Sequence, residues 1–179
     1  MFLGDNMNKK KIMKLLKSIY PYLIVIIVVI LIRTFIITPA MVDGDSMLPT
    51  LKNNNIVLLN KFNYKLSGLK RFDIVVINHN GTRLIKRVVA FPGEHVEYKD
   101  NNLYIDGFVI NEPFIHGKTN DFKLESIGYL KIPGDMYFVV GDNRDNSLDS
   151  RTIGLINKDE ILGKVHVRIF PLTKVGQVK

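Results

Sequence analysis

The chain divides at once into an apolar opening and an alternating remainder. Ser18 to Ile32 carries no charge, and Leu23 to Ile32 is an unbroken run of Leu, Ile and Val. Arg33 interrupts the run, and Phe35, Ile36 and Ile37 extend it. Ile19 to Ile37 is close to the ~20 residues that cross a ~30 Å hydrocarbon core, with Arg33 able to snorkel toward the far interface. Pro21 falls in the first turn of such a helix, where proline is tolerated. Ten consecutive aliphatics with no polar face argue against a helix in the core of a soluble domain. A cleavable leader is the rival reading, but Thr38-Pro39-Ala40 offers no small-x-small site and Ile36 and Ile37 prolong the run. The expectation is therefore a retained single-span anchor.

Beyond the anchor the pattern is that of strands. Ile56–Leu59, Asp73–Ile77, Leu84–Ala90, His95–Lys99, Leu103–Ile105, Met136–Val140 and Val165–Phe170 are short runs rich in Val, Ile, Phe and Tyr. Asn-Gly, Asp-Gly and Pro-Gly pairs separate several of them. Asp106-Gly107 between Asn102–Ile105 and Phe108–Ile110 predicts a two-residue hairpin. No helical pattern of 10–15 residues alternates with the strands, which argues against a doubly wound parallel sheet. Asn111 to Lys131 is polar and weakly periodic, and reads as an insertion or mobile excursion between two parts of one β core.

Composition narrows the partners. With 179 residues there is room for an anchor and one compact domain. Without cysteine, disulfides and thiolate–zinc sites are impossible, and redox compartment is not legible. The formal charge of +8 resembles a nucleic-acid signal until it is divided. Lys9, Lys10, Lys11, Lys14 and Lys17 against Asp5 put +4 on residues 1–19, leaving +4 on the other 160 without a dense basic run. The lysines before the apolar segment predict a cytoplasmic N-terminus and an extracytoplasmic remainder. No nucleic-acid partner is expected.

Three polar stretches carry candidate chemistry. Val42 to Leu51 places Ser46 in a turn punctuated by Gly44 and Pro49, which can present a hydroxyl beside its own amide. Alone, such a turn is an ordinary surface feature. In Leu84–Ala90, period-two alternation puts Leu84, Lys86, Val88 and Ala90 on one face and Ile85, Arg87 and Val89 on the other. Lys86 is then a lone amine among aliphatics, which either snorkels, pairs with a carboxylate, or is desolvated with a lowered pKa. At pH 7.5 an unperturbed lysine is only about 0.1% neutral, so a base role needs a fall of ~2–3 pH units. A neutral amine within reach of Ser46 could take its proton and return it to a leaving amine. Gly141 to Arg151 is a loop of short polar side chains, with Asp149 and Arg151 spaced for an internal ion pair and Ser147 free to partner a neighbour. It fails the calcium-loop pattern, because counting from Asn143 the sixth and twelfth positions are Leu148 and Gly154. His79, His95, His116 and His166 lack ligand spacing, so no metal is expected.

Taken together, these stretches resemble the bacterial type I signal peptidases, membrane-anchored Ser/Lys endopeptidases that remove signal peptides from exported preproteins. The resemblance runs through the apolar span, Gly44-Asp45-Ser46-Met47-Leu48-Pro49-Thr50-Leu51, Arg71 to Val76, Ile85 to Val89, Phe91-Pro92-Gly93-Glu94 and Gly141 to Arg151. It implies a mainly β, antiparallel core of the type shared with SOS-repressor proteases, with a small inserted β region, behind one N-terminal transmembrane helix. The implied domains are a basic cytoplasmic segment 1–18, a span 19–37 and an extracytoplasmic catalytic domain 38–179, with core 38–94 and 134–171 and insertion about 95–133. Ser46 would be the nucleophile and Lys86 the general base, and the Ser46 N–H would donate to the oxyanion. Ser147 would orient the lysine, while Asp149 and Arg151 would hold the loop. Val42, Gly44, Leu51 and Ile85 would line substrate pockets. The implied partners are preproteins with small residues at −1 and −3, lying extended along a strand edge, and the lipid bilayer. No cofactor is implied. An apolar rim at Met41, Met47 and Leu48 would touch the lipid.

Four positions depart from the usual pattern of that family. Gly44 stands where some members carry a serine that adds a second oxyanion donor, and Phe72 where glycine commonly precedes the aspartate. Glu94 replaces an aspartate, and Thr152 an aromatic. Other readings remain: a related Ser/Lys peptidase with another substrate, or an anchored β-rich binding module without catalysis.

Overall fold

A computed structural model of the chain describes residues 3–35, 37–61 and 68–178. Helix α1 runs from Leu3 to Phe35 and contains Pro21. Pro21 is therefore not in a first turn. The lysine-rich segment before it is made of good helix formers, so the helix begins eighteen residues earlier and continues through the proline. Lys11–Leu31 is long and apolar enough to cross a membrane, and its described side chains are exposed. Ile36 of the expected span lies outside the described residues. The chain divides after Ile37 into two compact units.

The second unit is built from strands. In chain order these are β1 (Ile37–Met41), β2 (Ile56–Asn60), β3 (Ile74–His79), β4 (Thr82–Ala90), β5 (Val96–Lys99), β6 (Asn102–Ile105), β7 (Phe108–Ile110), β8 (Phe122–Lys123), β9 (Met136–Val140), β10 (Ile156–Asn157), β11 (Ile161–Phe170) and β12 (Gly176–Gln177). One short helix, α2 (Ser150–Ile153), follows the Gly141 loop. An eight-stranded sheet has the order β1-β2-β11-β3-β4-β9-β10 with β12 beside β11, and a four-stranded sheet has the order β7-β6-β5-β8. The expected hairpin Asp106-Gly107 adopts positive φ at both residues, 49° and 83°, as a primed turn requires. The described registers are all antiparallel.

Strand β4 organises the larger sheet. On one side it pairs with β3 along its length, Lys86 opposite Val75 and Arg87 opposite Ile74. On the other it meets β9 only from Arg87 onward, so the edge of Thr82–Lys86 is open there. A bulge between Val88 and Ala90 breaks the simple alternation, and Val89 and Ala90 both pack toward the small sheet. Met47 and Leu51 are buried with Val57, Leu59 and Val76, which seats the serine turn on the sheet. The lipid rim expected at Met47 is thus corrected: this side chain faces the core, while Met41 stays exposed.

Residues 111–131 do not form a loose excursion. Leu124 is fully buried, and Glu112 reaches the Gly141 loop to bind Arg144. Arg144 donates to both Glu112 oxygens at 3.1 and 2.6 Å, to Thr119 Oγ1 and to the Gly141 carbonyl. Both charges are buried, so removing one strands the other. Glu112→Ala is expected to destabilise the fold by about 3–5 kcal/mol, and pairing Glu112→Leu with Arg144→Met to recover most of it. Denaturant unfolding of the two variants checks this.

Candidate active site

The serine turn is held from both ends. Val42 N–H donates to the Asn55 carbonyl and Asn54 N–H to the Val42 carbonyl, while Leu51 N–H closes a helical turn on Met47. Gly44 adopts φ +85° in this turn, a conformation that glycine takes without strain, and its N–H donates to Asn53 Oδ1. Ser46 is left half-buried at the rim.

Lys86 comes to it from β4. Lys86 is 2% exposed, and its amine lies 2.7 Å from Ser46 Oγ. Burial pushes its pKa from 10.5 down to about 8; Asp149 and Asp142 oppose that fall, and Arg151 adds to it. The amine is therefore not alone among aliphatics, since three charges of the Gly141 loop reach it electrostatically.

That loop is tied down residue by residue. Arg151 donates from Nε and Nη2 to the two Asp149 oxygens, each at 2.9 Å, and from Nη2 to the Arg144 carbonyl. Gly141 N–H donates to Asp149 Oδ2. Burial alone would raise the Asp149 carboxyl, but the Arg151 bonds and charge, with the Gly141 amide and the nearby Ser147 hydroxyl, hold it below the usual carboxylate range. Ser147 Oγ is buried and makes no hydrogen bond of ordinary geometry among the described residues. No bond links it to Lys86, so its expected orienting role is not expressed as a direct contact.

A cleft of about 390 Å³ opens beside the pair. Residues 39–43 form one wall and the open edge of β4, residues 82–86, the other. Val42 and Ile85 line it, whereas Leu51 does not: its side chain is wholly buried under the turn. Gly44 stands exposed beside the turn and is not in the lining. Two larger hollows, about 630 and 580 Å³, lie elsewhere and contain neither Ser46 nor Lys86. Among the described residues no cluster of His, Asp or Glu could hold a metal.

The sequence profile of the family described as "Signal peptidase, peptidase S26" matches residues 13–170. The chain belongs to this family. It is similar to a signal peptidase I P of Bacillus subtilis subsp. natto, 38% identical over 188 residues, covering all of both chains. It is also similar to a signal peptidase I S of Bacillus subtilis, 37% identical over 96% of this chain and 97% of that one. A crystal structure of a signal peptidase I from Enterococcus faecalis superposes with a TM-score of 0.51 at 39% identity, over 54% of this chain and 95% of that chain.

For a signal-peptidase-family chain, the departures at Phe72 and Glu94 now have local accounts. Phe72 adopts φ +72°, a strained conformation for a bulky residue and natural for glycine. Its ring packs edge-on against Phe114, 4.9 Å between centroids. Glu94 reaches Arg71 with both oxygens and also accepts the Phe91 N–H. One element of the site is absent from the sequence reading. Arg87, buried on the face opposite Lys86, donates to both oxygens of Asp142 at 2.7 and 2.6 Å, and Asp142 accepts the Thr50 hydroxyl at 2.5 Å. This triad ties the serine turn, the lysine strand and the loop together. The clue was available: an arginine between Ile85 and Val89 on a buried face demands a carboxylate.

Proposed function

We propose that this chain is a membrane-anchored serine endopeptidase that removes signal peptides from preproteins, with Ser46 as nucleophile and Lys86 as general base. The observation that carries the assignment is a buried amine, its pKa lowered to about 8, at 2.7 Å from a rim hydroxyl. The neutral amine accepts the Ser46 proton as Oγ adds to the scissile carbonyl. The developing oxyanion takes a hydrogen bond from the Ser46 N–H, the kind of donor whose loss costs about 3–4 kcal/mol in other proteases. Lys86 then returns the proton to the leaving amine, and the same cycle with water releases the acyl group.

The substrate lies extended between β1 and the open edge of β4, where unpaired backbone groups complete a sheet. The narrow lining between Val42 and Ile85 favours small residues before the cut. Asp149 and Arg151 hold the loop beside Lys86, and the buried Ser147 hydroxyl of that loop is the polar group available to orient the amine. The lysines ahead of the span keep the N-terminus cytoplasmic and the domain from residue 38 onward extracytoplasmic.

Processing of a model preprotein by the full chain in detergent micelles tests this. Ser46→Ala is expected to abolish cleavage, and replacing a −1 alanine of the substrate with leucine to slow it at least a hundredfold. Cleavage surviving Ser46→Ala overturns Ser46 as nucleophile, and no cleavage of several preproteins by the wild type favours an anchored binding module.

A further inference from the structure

One residue of the loop touches the serine turn twice. Asn143 N–H donates to the Ser46 carbonyl at 3.0 Å, and Asn143 Nδ2 donates to the Asp45 carbonyl at 3.1 Å. The Asp45 carbonyl and the Ser46 N–H are opposite ends of one planar peptide unit. Fixing the direction of that carbonyl fixes the direction of the N–H, which points the other way. A hydrogen bond accepted by the carbonyl also polarises the amide and strengthens its N–H as a donor. Within the turn the Leu48 N–H donates to the same Asp45 carbonyl at 3.1 Å and the Leu51 N–H to the Met47 carbonyl. Asn143 thus adds a second donor to the Asp45 carbonyl from outside the turn, and among the described residues the Ser46 N–H has no partner in the turn. Gly44 carries no hydroxyl that could share the work.

We propose that Asn143 is a positioning residue of the oxyanion site: its side-chain amide joins the Leu48 N–H on the Asp45 carbonyl and so aims and polarises the Asp45–Ser46 peptide. The inference rests on Ser46 being the nucleophile. The residue type matters, because an aspartate of the same shape has no donor and would set an anion against a carbonyl oxygen.

The test compares the full-chain wild type with Asn143→Ala and Asn143→Asp in micelles. Cleavage kinetics are followed over pH. Binding is measured for a peptide aldehyde ending in alanine and for the matching peptide alcohol. The aldehyde carbon accepts a bond from Ser46 Oγ, the hydroxyl proton passes to Lys86, and the former carbonyl oxygen becomes an oxyanion facing the Ser46 N–H. The alcohol forms no such bond. Asn143→Ala is expected to lower kcat about tenfold and Asn143→Asp about a hundredfold, with KM within twofold, somewhat less than deleting a donor outright. Aldehyde affinity falls by the same factors, since it reports the transition state, and alcohol affinity stays constant. The pH profile of Asn143→Ala keeps its midpoint, whereas the added carboxylate of Asn143→Asp favours the Lys86 ammonium and moves the midpoint up, so kcat is compared on the alkaline plateau. Full kcat in Asn143→Asp overturns the proposal. So do equal losses for aldehyde and alcohol, which would place the residue in ground-state binding. A wild type that binds aldehyde no better than alcohol overturns the nucleophile assignment itself, and this proposal with it.

Discussion

Lys86→Met is expected to abolish cleavage and, at neutral pH, to stabilise the fold. The activity loss follows from removing the proton acceptor beside Ser46 Oγ, and in comparable peptidases loss of one member of the catalytic unit costs on the order of 10⁴-fold or more. In the wild type, kcat/KM should rise with pH through about 8, where the amine loses its proton, because only the neutral form can act as base. The stability effect has the opposite sense. Lys86 has a folded pKa of about 8 against 10.5 in the unfolded chain. Between those values the unfolded state binds more protons, so stability rises with pH across that window. Below pH 8 the buried ammonium weakens the fold by its full amount, on the order of 3 kcal/mol for a shift of this size. Methionine has similar length and no charge, which removes that term. Urea unfolding in micelles should therefore show the variant most ahead of the wild type below pH 8, the two converging toward 10.5. Equal stability at pH 7, or cleavage by the variant, contradicts this account of the amine.

Gly141→Ala is expected to lower kcat/KM at least a hundredfold and to destabilise the domain by about 1–3 kcal/mol. A Cβ at this position would overlap the Ser46 carbonyl oxygen and Ser147 Oγ. The Gly141 N–H is committed to Asp149 and its carbonyl to Arg144, so the loop cannot retreat without releasing both. The serine turn must move instead, and a displacement near 1 Å is enough for a loss of that order. Gly134→Ala is the control: its Cβ would meet nothing within 4 Å, and its activity and stability should match the wild type. Steady-state kinetics and thermal unfolding of the two variants decide the matter.

Much of the fold was legible because period and turn chemistry are local. Met136–Val140 is β9 as the alternation implies, and the Asp106-Gly107 hairpin falls where the dipeptide places it. β11 begins at Ile161, not Val165, because Gly163 interrupts the apolar reading. That glycine lets the strand pass close to the Asn60 carbonyl, a reason found in the neighbouring strand and not in the local pattern. The family resemblance implied Leu51 as a pocket residue, yet the helical turn from Met47 directs it into the core.

By itself the sequence determined the apolar helix, the strand-rich character of the remainder, and the three stretches that hold Ser46, Lys86 and Asp149. These rest on hydrophobic periodicity and residue chemistry, which act over a few residues. Only the tertiary structure decided how the stretches meet. The 2.7 Å contact between Ser46 and Lys86 spans 40 positions, and the Arg87–Asp142 pair spans 55. The embrace of the Asp45–Ser46 peptide by Asn143 spans 98. Such contacts depend on strand order, a β-bulge and the burial of charges that must then find partners. The lowered pKa of Lys86 belongs with them, because desolvation is a property of the packed sheet and not of the lysine.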